Sequence, residues 1–212
     1  MLTNLQSMDQ QTLMSKISRF WEWFEESEHM FREVTDPQAV VEAMDNHILE
    51  FGMFAWEIGE GQSKPHYLLV SPNGDSKRLD ISYKLIQAAP NLRHWEFHYC
   101  KPPKDWNFQF EIYDQFLVTQ LIDASEWEYV LRKMEDNYVE VIIHADNMDN
   151  IDPEDKLNAA EMTLIKILGE ELVIDHLGAL EVVHEFSPVQ EKRCQNMPTL
   201  KRNFEKMVGK SR

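Results

Sequence analysis

Glycine is scarce in this chain, seven in 212 residues, and cysteine scarcer still, with two. So few glycines leave little material for phosphate-cradling loops. Neither a P-loop nor a GxGxxG pattern occurs, which argues against the familiar nucleotide-binding folds. Cys100 and Cys194 stand alone without CxxC spacing, so neither a disulfide framework nor a structural zinc site is expected. Cys100 reads as a half-buried thiol and Cys194 as an exposed one in a polar tail. Ser71 and Ser125 lack the GxSxG setting of a nucleophile elbow. No apolar run approaches the roughly 18 residues that a membrane-spanning helix needs. The start, MLTNLQSMDQQTLMSK, lacks the basic head, continuous apolar middle and small-residue cleavage site of a secretory signal. A soluble cytoplasmic protein without a cofactor is the expectation.

Positive charge is also short: 21 Lys and Arg against 37 Asp and Glu, a net charge of −16. The imbalance is uneven. Residues 187 to 212 carry seven basic side chains (Lys192, Arg193, Lys201, Arg202, Lys206, Lys210, Arg212) against Glu191 and Glu205, or +5, which leaves −21 on the rest. Such a body repels nucleic-acid phosphates and anionic membranes. A protein partner with a basic surface fits it best, and the tail alone has the sign a phosphate surface attracts.

Apolar residues make up 43% of the chain and aromatics 11%, ample for a buried core. Leu13, Ile17, Phe20, Trp21, Phe24 and Phe31 recur at helical spacing between about Gln10 and Arg32. Thr35-Asp36-Pro37 ends that helix and starts another, since Asp36 can cap and Pro37 suits the first helical position. The period then shortens to that of strands. Phe54, Trp56 and Ile58 alternate, Tyr67 to Val70 follow, and Gly59, Gly61 and Pro65 lie between as in a hairpin. The turn Ser71-Pro72-Asn73-Gly74-Asp75 leads to a short helix, about Leu79 to Ala89, and then a strand in which Trp95, Phe97 and Tyr99 alternate with Glu96, His98 and Cys100.

The same order returns further along. Trp127, Tyr129 and Leu131 alternate, Asp136-Asn137 turns, and Tyr138 to Ala145 forms the next strand. A helix runs from about Glu154 to Leu168 with Gly169 at a left-handed cap position, and a strand spans Ala179 to Phe186. The expected fold is therefore α+β: two tandem ββαβ, ferredoxin-like units with antiparallel sheets, helices packed on one face, and an N-terminal helical pair. Residues 1–103 would hold the helices and first unit. Residues 104–188 would hold the second unit and a linking strand at Phe108 to Tyr113 or at Phe116 to Ile122. Residues 189–212 would be a basic tail, either a short docked helix or a frayed end.

Three groups of residues invite a functional reading. His144, Asp146 and Asp149 precede the second unit's long helix, and their nitrogen and oxygen donors suit a divalent metal. Asp and Asn there serve equally to turn the chain and cap the helix, as Asp152 would. Glu96 and His98 share the polar side of a strand, as do Glu126, Glu128 and Glu140 elsewhere. Packed carboxylates raise one another's pKa, whereas a solvated sheet face simply carries charge. Within FWEWF only part can face the core, which leaves Trp23 as the exposed aromatic of an interface, with Glu96 and His98 on the sheet's open face as its other candidate residues.

The segments FWEWFEESEHMF, NGD, AAPNLRHWEFHYCKPP and ILGEE together resemble an uncharacterised family of bacterial α+β proteins, over most of residues 19 to 186. The resemblance implies no activity and no functional residue. By fold-level analogy the shape is similar to duplicated ferredoxin-like regulators that inhibit other proteins. The leading expectation is a non-catalytic protein-interaction or regulatory domain with an acidic surface. The alternative is a small, metal-assisted enzyme using His144, Asp146 and Asp149.

Overall fold

The computed structural model describes residues 2–33, 36–114 and 116–209, with side chains from residue 10 onward; Thr35, Lys210 and Arg212 lie outside them. The described residues form a mixed α+β chain of seven α-helices and three small sheets. It divides into two compact units, Met1–Lys101 and Pro102–Arg212.

The first unit opens with α1 (Leu2–Arg32), whose inward stripe of Ile17, Phe20, Trp21, Phe24 and Phe31 is buried. Helix α2 (Pro37–Ile48) starts where Asp36 accepts the backbone N–H groups of Gln38 and Ala39 at 3.1 and 3.2 Å, with Pro37 in the first position. Strands β1 (Ala55–Glu60) and β2 (His66–Ser71) pair antiparallel. Helix α3 (Ser76–Gln87), capped by Asp75, then carries the chain across to β3 (Trp95–His98), which runs parallel to β2. The order is β1-β2-β3. One face presents Leu68, Val70 and Trp95, with Trp56, Ile58 and Phe97, to the aromatics of α1 and to Met44, Ile48 and Leu85. The Trp21 indole N–H donates to the Leu85 carbonyl at 2.7 Å and ties α1 to α3.

In the second unit β4 (Gln109–Tyr113) and β5 (Thr119–Asp123) form a two-stranded antiparallel ribbon. Both positions considered for a single linking strand are thus strands, paired with each other. Next come β6 (Glu128–Lys133), β7 (Val139–His144), α4 (Pro153–Leu168), α5 (Glu170–His176), β8 (Leu177–Val183), α6 (Pro188–Glu191), β9 (Gln195–Asn196) and α7 (Leu200–Val208). The sheet order is β8-β7-β6-β9, with β7 and β8 parallel and the other pairs antiparallel. Its core face, Tyr129, Val139, Val141 and Ile143, packs with Ala160, Leu164 and Leu168 of α4 and Leu200 and Phe204 of α7.

Four expectations need correction. The two main sheets are mixed, not antiparallel throughout, because a helical crossover returns the chain in the direction of the strand it left. Gly169 is not a left-handed cap. At φ 85° and ψ 149° it occupies a region open only to glycine and joins α4 directly to α5, a helix too short to show a period. Residues 189–212 do not stand apart from the second unit, and of the two forms expected for them the docked helix is the one present, as α7. Met197, Leu200 and Phe204 are fully buried, and the Tyr129 hydroxyl accepts from Asn203 Nδ2 at 2.7 Å and lies 3.0 Å from Thr199 Oγ1. Cys194 is half-buried beside Val130, Ile142 and Phe186, not exposed.

Phe204→Ala should therefore destabilise the second unit by about 3–5 kcal/mol in denaturant unfolding, and a loss below about 1 kcal/mol would place α7 outside the core. The fully buried Thr163 has a hydroxyl with no partner among the described residues. Thr163→Val should raise stability by about 1 kcal/mol, because it removes an unsatisfied polar group at constant volume.

Candidate functional site

In the first unit's sheet the face opposite the core carries polar groups. Cross-strand pairing sets Tyr67 beside Gly59 on one side and Glu96 on the other, and Leu69 between Glu57 and His98. Gly59 makes room for an aromatic ring: a Cβ there would stand 2.7 Å from Tyr67 Cε1. Tyr67 donates its hydroxyl to Glu57 and meets the His98 ring edge-on at 5.8 Å. Burial first, and then the Glu57 carboxylate, push the phenol well above its usual range.

Glu96 is the hub of this face. Its carboxylate accepts the backbone N–H groups of Gln62 at 2.8 Å, Ser63 at 2.9 Å and Lys64 at 3.3 Å, as well as the Ser63 hydroxyl. His98 Nε2 stands 3.5 Å away. The Ser63 hydroxyl first, and the Gln62 N–H next, hold the carboxyl down at about 2 rather than 4.5. The expected mutual raising of carboxylates does not operate at Glu96, because donors surround it. It is an anion that clamps the β1–β2 connection, and Gly61 fits only because it lacks a side chain: a Cβ would lie 2.4 Å from the Lys64 carbonyl oxygen.

Trp23 is half-buried. Its indole stacks on the His47 imidazole with centroids 3.6 Å apart and planes 9° apart, and His47 Nδ1 lies 2.8 Å from the Ala43 carbonyl oxygen. One face of the ring is thus already engaged.

In the second unit, His144 ends β7 with its ring 5.5 Å from Phe186, and Asp149 pairs with His184 at 3.3 Å. Asp146 is exposed. Among the described residues no three His, Cys, Asp or Glu side chains are gathered as a metal ion would require, His144, Asp146 and Asp149 included. The loop is built for turning. Asn147 accepts the Trp127 indole N–H at 2.7 Å and donates to the Asp123 carbonyl at 3.0 Å, while Asp152 caps α4 through Glu154 N–H. Burial, followed by Glu128, pushes the Cys194 thiol up, which disfavours a nucleophilic thiolate.

A further feature lies on the N-terminal helices. Between Glu22 and Glu60 the chain has eleven acidic residues and one basic, Arg32. Glu22, Glu25 and Glu26 are exposed at the 3- and 4-residue spacings of one face of α1, and the exposed Glu33 lies just past its end. Arg32 engages the Glu28 carboxylate at 3.6 Å and Arg19 that of Glu50 at 3.5 Å, while Lys16 donates to the Glu50 backbone carbonyl at 2.8 Å. Asp45 accepts the Trp56 indole N–H at 2.7 Å. Among the described residues, Glu22, Glu25, Glu26 and Glu33 have no cation. A local charge count would have found this stripe, which is hidden in a total averaged over the whole body.

Comparison with known proteins returns no matching family model, no matching curated protein and no matching solved structure.

The Glu96 clamp makes stability depend on pH with a definite sign. A carboxyl whose folded pKa is depressed stabilises fully above its unfolded value and loses that contribution as pH falls through the folded one, here between about 4.5 and 2. Glu96→Gln should be less stable than the parent at neutral pH in urea unfolding, with the gap closing over that window. A gap that persists unchanged to pH 2 would disprove the clamp.

Proposed function

We propose that the chain is a non-catalytic interaction protein, built of two tandem ββαβ units, whose acidic α1–α2 face docks on a basic surface of a partner protein. One observation carries this: the uncompensated stripe of Glu22, Glu25, Glu26 and Glu33. Like charges at i, i+4 on a helix, such as Glu22 and Glu26, each cost about 0.2–0.5 kcal/mol. Cations supplied from outside would offset that cost, and the field of such a face would steer their approach.

The tandem reading rests on the pairing pattern. Strands β1-β2-β3 and β6-β7-β8 each run antiparallel and then parallel, with a helical crossover before the third strand. A ferredoxin-like regulator and a bacterial cytoplasmic setting are the context in which we place it. The alternative, a metal-assisted enzyme, needs His144, Asp146 and Asp149 to converge, and Asp149 is occupied by His184 instead.

The test is affinity capture with the full chain and with its Glu22→Gln, Glu25→Gln, Glu26→Gln, Glu33→Gln variant, at low and high salt. The parent should retain a basic protein at low ionic strength, and binding should weaken about tenfold or more on raising the salt. The variant should lose that protein while melting at an equal or higher temperature, since it has shed helix repulsion. Identical capture by both chains would refute the acidic stripe as the docking face.

A further inference from the structure

The β4–β5 ribbon presents a large apolar surface to water. Tyr113 is 64% exposed, Phe116 73%, Leu117 83%, Val118 54% and Leu121 68%. These five lie on and around one hairpin tip. An aromatic side chain carries about 150–250 Å², so the group exposes of order 600 Å², at the upper end of the largest patch on an ordinary monomer, roughly 300–600 Å².

The tip is held in this posture. Asp114, nearly buried, accepts the backbone N–H groups of Phe116 and Val118 at 2.9 Å each and the Gln120 amide at 3.0 Å. Its own N–H donates to the Val118 carbonyl at 3.0 Å, and its carbonyl accepts from Leu117 N–H at 2.9 Å. Leu117 sits at φ 60°, a left-handed conformation that a bulky residue adopts only under constraint. The turn therefore fixes Phe116 and Leu117 outward when folding back would hide them. The base of the ribbon is anchored: Ile122 is buried, and Phe110 and Phe108 pack against the second unit's core. Lys166 Nζ lies 4.2 Å over Trp106, which stacks on Phe108.

We propose that this hairpin docks on the same hairpin of a second copy of the chain, forming a twofold dimer. Two copies burying the patch remove about 1,200 Å² from water, the lower edge of the roughly 1,200–2,000 Å² of specific interfaces. An isologous contact needs a self-complementary surface, and an uncharged apolar tip is complementary to itself. Phe116, Leu117 and Val118 carry no charge, while the exposed Glu111 stands opposite Leu121 on the ribbon and adds to the repulsion that salt must screen. Elsewhere the two copies repel, each at −16, so the dimer strengthens as salt screens them. This response is opposite to that of the acidic α1–α2 face toward a basic partner.

Sedimentation equilibrium of the full chain, at increasing protein concentration and in 50 and 500 mM salt, tests the proposal. A monomer–dimer equilibrium that tightens with salt is expected. In Phe116→Ser/Leu117→Ser it should weaken at least tenfold, with circular dichroism and melting unchanged, since both side chains are already in water. A milder Leu117→Gly variant keeps the turn and should weaken it less. A chain that stays monomeric throughout overturns the proposal, as does a dimer that the serine variant forms equally well. A dimer that dissolves in salt overturns it in favour of a charge contact, and flotation of the monomer on phosphatidylcholine vesicles overturns it in favour of a lipid surface.

Discussion

A three-stranded sheet with a single apolar face is not stable until something covers that face. In the first unit the cover is α1, whose Trp21, Phe24 and Phe31 meet Trp95 and Phe97 in a run of edge-on ring contacts. The aromatics lie in the N-terminal helix, so that helix is part of the unit's core. In the second unit α4 and α7 and the base of the β4–β5 ribbon cover the sheet, and the chain must come back through Met197 and Leu200 to complete it. The basic segment at the end thus contributes its apolar side to the core, while Lys201, Arg202 and Lys206 lie on the exposed side of α7.

Two groups of acidic residues contrast. Asp36, Asp75, Asp152, Asp114, Asp123 and Glu96 each accept backbone N–H groups at a helix start or turn, where negative charge belongs. Glu22, Glu25, Glu26 and Glu33 do nothing of the kind and lie on the surface of α1 and just past its end. Local architecture accounts for the first population. An interaction outside the chain is the simplest account of the second.

The outer faces of the two main sheets differ for a related reason. The first carries Glu57, Tyr67, Glu96 and His98, which lock one another and the β1–β2 connection. The second carries Val130 and Ile142, apolar residues that Phe186 and Cys194 cover on the way to β9, while Arg132 holds Glu140 at 2.6 Å at the other end of the same strand pair. Both faces are thereby engaged in structure: Glu96 is held ionised and so has no proton to give as a general acid near neutral pH, and Cys194 is held as a thiol.

The sequence by itself determined where the longer helices and most strands lie, because hydrophobic period, capping residues such as Asp36 and turn residues such as Asn73 and Gly74 act within a few positions of themselves. It also disclosed the apolar stripe of α1 and the scarcity of catalytic motifs. Only the tertiary structure decided that β3 and β8 run parallel to their neighbours, that Gly169 joins two helices, and that Leu200 and Phe204 belong to a core. It alone paired Asp149 with His184 and surrounded Glu96 with donors from Gln62 to Lys64. Those outcomes depend on which distant segments meet, and the free energy of such meetings comes from burial and from geometry between residues that no local pattern connects.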